Sequence, residues 1–347
     1  MAKNHALLVA EMRKRLPESA LFGFNSGIDE VCVFRGKPLP TLPYFAPSIR
    51  TCFKTGEQKE MAVRKSQLKE LRLLFPPTLL LVGGQAGNAC QTASCLGVKS
   101  FLHTHCKSPE MLNLFSFPSR IFLASNGQFL PASSAPTLHS TCFRHLVIEF
   151  GKTRFIAAHD PHVAVVDWEF SKARYSSPLP LLAYLGGFHL FKSETDVAEA
   201  GREITEWKAR NPGMRIHVEL GEFQKKYVFE ATRKVIFPLI DSIGVNEIEL
   251  KQLRATPQSL LKEVPEVLFH TQKKSIALPS SEESKKALEF AAIVASYRAE
   301  TGRPPTFDEL EKYAATRSSF FISKPKLTVG LGDTFSCAYF LARNALR

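Results

Sequence analysis

A chain of 347 residues, 44% of them hydrophobic, is long enough for one large domain, or a large domain with an appendage, around a full core. No apolar run reaches the roughly 18 residues of a membrane span, and the opening MAKNHALLVAEMRKRLPE reads as an amphipathic helix without the apolar stretch of a secretory signal. A cytoplasmic protein with no membrane partner is therefore expected. The net charge of +12 is dispersed, its longest basic run being Arg13-Lys14-Arg15, and no aromatic-plus-basic pattern of a nucleic-acid-binding sheet is present. Such a surface suits the gathering of anionic small molecules, not nucleic acid.

Along the chain, ALFGFNSGIDEVCVFRG is strand-like, and Lys37 to Pro77 carries prolines, glycine and charge with no clean period. LLLVGGQAGNAC reads as a buried strand, a glycine turn and a helix start. LHTHC, Leu102 to Cys106, would put His103 and His105 on one strand face, but no second ligand cluster accompanies them, so core histidines are the reading preferred to a metal site. Residues 128–158 look like a hairpin or meander. HVAVVDW, His162 to Trp168, has the density of a buried strand.

From there strands and helices alternate. LLAYLGGFHLF is a strand ending in a glycine loop, DVAEAGREITEWKARNPG a helix, RIHVEL a strand and YVFEATRKVIF a helix. IDSIGV is a strand running into the helix NEIELKQL, and EVLFHT is another strand. Ser280 with Glu283, and Thr306 with Glu309, have the spacing of capping boxes before two further helices. The alternation predicts an α/β fold, a central and mostly parallel sheet flanked by helices, with the irregular stretches forming a small β-rich lid. The expected large domain comprises residues 1–29, 78–127 and 159–347; the lid comprises 30–77 and 128–158. The seven scattered cysteines, without paired short spacings, read as reduced and mostly buried thiols.

Chemistry is expected beyond the carboxyl ends of the strands, where ligands of open α/β sheets collect. Asp29 after LFGFN, Gly83-Gly84 after LLLV, Asn246 with Glu249 after IDSIGV, and Asp333 after KLTV all stand at such places; His217 and Glu219 near the end of RIHVEL would share a face. Gly330-Leu331-Gly332-Asp333 puts a carboxylate at a helix start, where unpaired N–H groups seat phosphates. Asp333 there is a helix cap or a base held beside an anion. Asn246 and Glu249 likewise make a cap on their own, and Gly83-Gly84 a tight turn. Together, carboxylates, an amide and glycine turns at one rim suggest metal-assisted phosphoryl transfer.

GFNSGID, GGQAGN, HVEL, DSIGVNEIEL, FHT and TVGLGDTFS, in that order and over nearly the whole chain, resemble the ADP-dependent glucokinases and phosphofructokinases of the ribokinase-like superfamily. The resemblance implies Asp333 as the base that takes the proton of a sugar hydroxyl, with the backbone of Gly330 to Gly332 stabilising the transferred phosphoryl. It implies Mg2+ associated with Glu219, Glu249 and Asp333, oriented by His217 and Asn246, and ADP as the donor. TRFIAAHD is similar to a family strand whose arginine reaches the nucleotide phosphate, which points to Arg154; Asn246, His270 and Thr271 would border the nucleotide. Asp29, Gly83, Gly84 and Glu60 would meet the sugar. Glu60, at the spacing of the glucose-using members' lid glutamate, favours glucose over fructose 6-phosphate.

The chain departs from the family pattern at Gly27, where relatives carry an asparagine, and in a shorter lid stretch before Arg154. Alternatives are a fructose 6-phosphate kinase, an ATP-dependent ribokinase-like sugar kinase, or a catalytically weak nucleotide- or sugar-binding regulator. ADP rather than ATP comes from the resemblance alone. A monomer whose partners are small molecules is expected.

Overall fold

Fourteen strands form two sheets in the computed structural model, which describes residues 2–35, 38–136, 142–151, 153–159 and 167–347. In chain order they are β1 (Ser19–Gly23), β2 (Gly27–Val33), β3 (Lys59–Ala62), β4 (Leu79–Gly83), β5 (Lys99–Leu102), β6 (Ile121–Ser125) and β7 (Gln128–Pro131). There follow β8 (Phe143–Glu149), β9 (Arg154–His159), β10 (Leu182–Leu185), β11 (Arg215–Glu219), β12 (Ser242–Val245), β13 (Val267–His270) and β14 (Ser275–Leu278).

The large sheet runs β14-β13-β12-β11-β10-β1-β5-β6-β7 and is parallel except for its two outermost pairs. Its central strands have both faces buried, β10 and β12 throughout, as helices on both sides require. One core packs Phe24, Trp207 and Val218 beneath the helix Glu194–Arg210; another packs Phe22, Tyr184 and Phe340 against the helices Gln85–Cys95 and Leu331–Ala345. The expected α/β architecture is present.

The small sheet runs β3-β9-β8-β2-β4. Alternation along β8 and β9 divides its residues by period two. Leu146, Ile148, Phe155 and Ala157 pack under the helices Ser48–Thr55 and Lys65–Leu74, elements that Lys37–Pro77 gave no periodic sign of. Val147 and Ile156, on the opposite face with Val31, meet Leu327 and Val329.

Sheet membership corrects the expected segments at three points. LLLV is β4, an edge strand of the small sheet antiparallel to β2, and Asp29 lies within β2 itself, so neither stands at the end of a large-sheet strand. Residues 128–131 belong to the large sheet, hairpinned onto β6, because Asn126 and Gly127 adopt positive φ and turn the chain straight back. KLTV is not a strand; Leu327 to Val329 is irregular backbone held by side chains from the small sheet. The first expected capping box shifts by one residue to Ser281 and Ser284, while Thr306 and Glu309 form theirs as spaced. Of the strand expected at His162 to Trp168, residues 162–166 lie outside the described residues, and Asp167 caps the helix Trp168–Ser176.

Cys106 and Cys142 are joined as a disulfide, against the expectation of thiols throughout; the other five cysteines are buried and outside any disulfide. His103 is fully buried and accepts a bond from the Asp167 amide at 3.2 Å. Among the described residues no helix is long and apolar enough to cross a membrane.

Candidate active site

The two sheets face each other across a cleft lined by residues of both. The large sheet contributes the carboxyl ends of β11 and β13 and the turn after β12, which carry Glu219, His270, Asn246 and Glu249. The small sheet contributes Asp29 from β2, Glu60 from β3, His145 from β8 and Arg154 from β9. Gly84, Gly330, Gly332 and Asp333 line the floor. Most of the expected site residues, scattered over some 300 positions of sequence, therefore meet.

The two glycine turns are dictated by space. Gly84 has φ +76 and Gly330 φ +71, left-handed values that side-chain-bearing residues avoid. Each begins a helix, Gln85–Cys95 and Leu331–Ala345, whose first N–H groups and positive dipole end are turned toward the cleft. Gly83 does not line the cleft; a Cβ there would overlap the Asp29 carboxylate, so its role is to admit Asp29.

Asp333 is half-buried in the first turn of its helix, and its carboxylate has no hydrogen-bond partner among the described residues. Burial first, then the Glu219 charge, push its pKa up to about 7, against the pull of Arg298 and Arg154. Glu219 is treated in the opposite way. Burial disfavours its charge, but His270 at 2.8 Å and His217 at 3.5 Å prevail and hold it at about 2. Neighbouring carboxyls whose pKa values are driven apart are the pattern of a base beside a permanent anion.

Asn246 and Glu249 are a cap and a cleft wall at once. Asn246 Oδ1 accepts from the amides of Ile248 (2.8 Å) and Glu249 (3.2 Å), while Glu249 accepts from the Asn246 backbone (2.8 Å) and Nδ2 (2.9 Å). Burial and then repulsion from Glu219 raise the Glu249 pKa. Both Glu249 oxygens are thus engaged, whereas Oε2 of Glu219 is buried without a hydrogen-bond partner. Among the described residues no group of three or more His, Cys, Asp or Glu converges as a metal cage. These donors fit a hard cation that keeps most of its ligands as water and phosphate oxygen, as magnesium does.

Thr271 takes another role than expected, while His217 holds Glu219 from within the core, its Nε2 3.5 Å from Oε2. Thr271 does not line the cleft; its hydroxyl closes the β13–β14 turn, accepting from the amides of Lys273 and Lys274. His217 is fully buried, sandwiched between Tyr184 and Phe340, with Nδ1 on Ser242 at 2.9 Å. Arg154 spends Nη1 on the Thr328 carbonyl (2.9 Å) and hydroxyl (3.2 Å) while lining the cleft.

Asn25, Gln85, Asn88, His145 and His189 also line the cleft and escaped the sequence reading. Gln85 ties the walls together, donating to the Leu220 carbonyl (2.8 Å) and accepting from Gly187 (2.7 Å). Asn25, Gln85 and Asn88 stood inside the quoted GFNSGID and GGQAGN; His145 and His189 carry no local signal, since only strand register and the turn after β10 bring them in.

Comparison with solved structures places the fold. An ADP-dependent kinase in complex with fructose 6-phosphate and ADPβS superposes with TM-score 0.86 at 20% identity, covering 99% of this chain and 98% of that one. The last common ancestor of ADP-dependent phosphofructokinases from Methanosarcinales gives 0.78 at 18%, with 99% and 97% covered. Adenosine kinase from Sinorhizobium meliloti gives 0.52 at 11%, with 92% and 98% covered. No curated protein sequence matches. The conserved region described as ADP-specific phosphofructokinase/glucokinase matches residues 37–278, more than half the chain. This chain, ribokinase-like in fold, therefore belongs to the ADP-specific phosphofructokinase/glucokinase family of ADP-dependent sugar kinases.

Proposed function

We propose that the protein transfers the terminal phosphoryl of ADP to the 6-hydroxyl of glucose. The observation that carries this reading is Asp333, a carboxyl tuned to about 7, set at a glycine-framed helix start in the same cleft as Asp29 and Glu60. Asp333 takes the hydroxyl proton as the sugar oxygen bonds to phosphorus and the bond to the AMP leaving group breaks. Amides at Gly330 to Gly332 receive the charge that builds on the phosphoryl oxygens. Arg154 directs its remaining guanidinium nitrogens at the nucleotide phosphates. Magnesium, when bound, neutralises charge on the phosphates, and Glu219 and Glu249 are the residues that would hold it, largely through water. Asp29 and Glu60 accept from sugar hydroxyls. We treat the small sheet with its two helices as a lid domain that closes on the sugar and excludes water.

Fructose 6-phosphate is the second reading, favoured by two observations. Lys59 lines the cleft beside Glu60 and could pair with a sugar phosphate, and a structural relative is described with that sugar bound. Single-turnover assays with glucose and fructose 6-phosphate, each with ADP and with ATP, decide between them. Glucose 6-phosphate formed with ADP is expected. Nucleotide binding without any phosphorylated hexose would overturn the assignment in favour of a regulator.

A further inference from the structure

Behind the two glycine turns lies a buried charge that the mechanism above does not use. Arg298, on the helix Glu282–Thr301, is 5% exposed. Its Nη1 donates to Thr334 Oγ1 at 2.7 Å, and its Nη2 to Asn88 Oδ1 at 2.7 Å and, more weakly, to the Val329 carbonyl at 3.4 Å. All three acceptors are neutral, and among the described residues no carboxylate pairs with it. Burying a cation is costly unless it is paired, so an arginine kept among neutral partners indicates a use for its charge. Burial works against its charge, and Asp333 and Asp29, both in the cleft, are the carboxylates that sustain it.

Its contacts close a ring. Thr334 meets Thr92 at 3.1 Å, Thr92 donates to the Asn88 carbonyl at 2.9 Å, and Asn88 Nδ2 donates to the Gly84 carbonyl at 3.0 Å. The guanidinium thus joins the first turn of Gln85–Cys95 to that of Leu331–Ala345. It also packs so closely under Gly330 that a Cβ there would overlap it. A planar fork can span both acceptors at once, and an ammonium cannot.

We propose that Arg298 is a positioning residue for phosphoryl transfer, pinning the Gly84 and Gly330 turns in one geometry and adding a positive charge behind the transferred phosphoryl. The proposal rests on the kinase reading of the site. Its test uses the full-length protein and the variants Arg298→Met and Arg298→Lys, with ADP and AMP affinities measured by calorimetry beside steady-state kinetics. Arg298→Met is expected to bind ADP about 10-fold more weakly and AMP unchanged, with kcat lowered about 100-fold, the scale of a lost oxyanion donor. Arg298→Lys, which keeps the charge but loses the fork, should lose at least ~10-fold in kcat. If the methionine variant does not fold, the lysine variant decides. Wild-type kcat in Arg298→Lys, or equal weakening of ADP and AMP, overturns the proposal. Wild-type protein that binds ADP but phosphorylates no hexose would instead overturn the kinase reading, leaving the ADP-against-AMP comparison to judge Arg298.

Discussion

Asp333 and Glu219 carry the same functional group and are set to opposite tasks by their surroundings: one has no hydrogen-bond partner, and the other is flanked by two histidines. As the base proposed above, Asp333 would have to be ionised to act, so kcat/KM should climb with pH and level off above an apparent pKa of about 7. Asp333→Asn should lower kcat by about 100- to 10,000-fold, the span of general-base catalysis, and abolish that acid limb in a pH–rate profile. Stability supplies a second check. The folded-state pKa lies above the unfolded one, so the native state holds the proton longer, and this group costs stability as pH rises from about 4 through about 7. Asp333→Asn should therefore melt higher than wild type at pH 8 and equally at pH 4. On the glucose reading proposed above, Glu60 would set the acceptor. Glu60→Ala should raise the KM for glucose at least ~10-fold, from the lost charged hydrogen bond, without raising that for fructose 6-phosphate. Equal effects on both sugars would remove Glu60 from specificity.

Helix starts are where the sequence reading and the structure can be compared element by element. Thr306 and Glu309 cap as their spacing implied, because a capping box is a local device that needs no tertiary partner. Ser280 with Glu283 had the same spacing, yet the box closes at Ser281 with Ser284, whose hydroxyls bond reciprocally to the backbone at 3.1 and 2.8 Å. Two serines in succession leave the register open until the helix packs. Ser281→Ala should cost about 1 kcal/mol in a denaturant titration, and Ser280→Ala nothing measurable. Gly330 belongs to the same scale. Its GLGD motif was legible, but the arginine that makes a side chain impossible there lies more than thirty positions earlier on another helix.

At the scale of the whole molecule, polar contacts add to the apolar ones that join the small sheet to the Gly330 turn. Glu149, 2% exposed at the end of β8, accepts from the amides of Thr328 (2.9 Å) and Val329 (2.8 Å) and from the Thr328 hydroxyl (2.9 Å). Arg154, its register partner on β9, grips the Thr328 carbonyl from the other side. The β8–β9 hairpin is thereby fixed to the backbone two residues before Gly330. Glu149→Ala leaves three donors unsatisfied and should destabilise the protein by about 3 kcal/mol. It should also weaken the thermodynamic coupling between sugar and ADP, read as the change in ADP affinity on adding sugar. Undiminished coupling would show that the hairpin closes independently of this contact.

The strand–helix alternation from β10 to β13, the glycine turns, and Asp333, Glu219 and Glu249 were legible in the sequence alone, because periodicity, caps and short motifs are local and survive in one dimension, whereas the helices of Lys37–Pro77 and the irregular KLTV were not. Sheet membership was not, since LLLV reads equally well as a strand of either sheet and only its pairing with β2 decides. The pKa of Asp333, the neutral hydrogen-bond partners of buried Arg298, and His145 and His189 in the cleft wall were decided only by the tertiary structure. Burial and charge–charge distance are properties of space, and residues far apart in the chain have no spacing from which to read them.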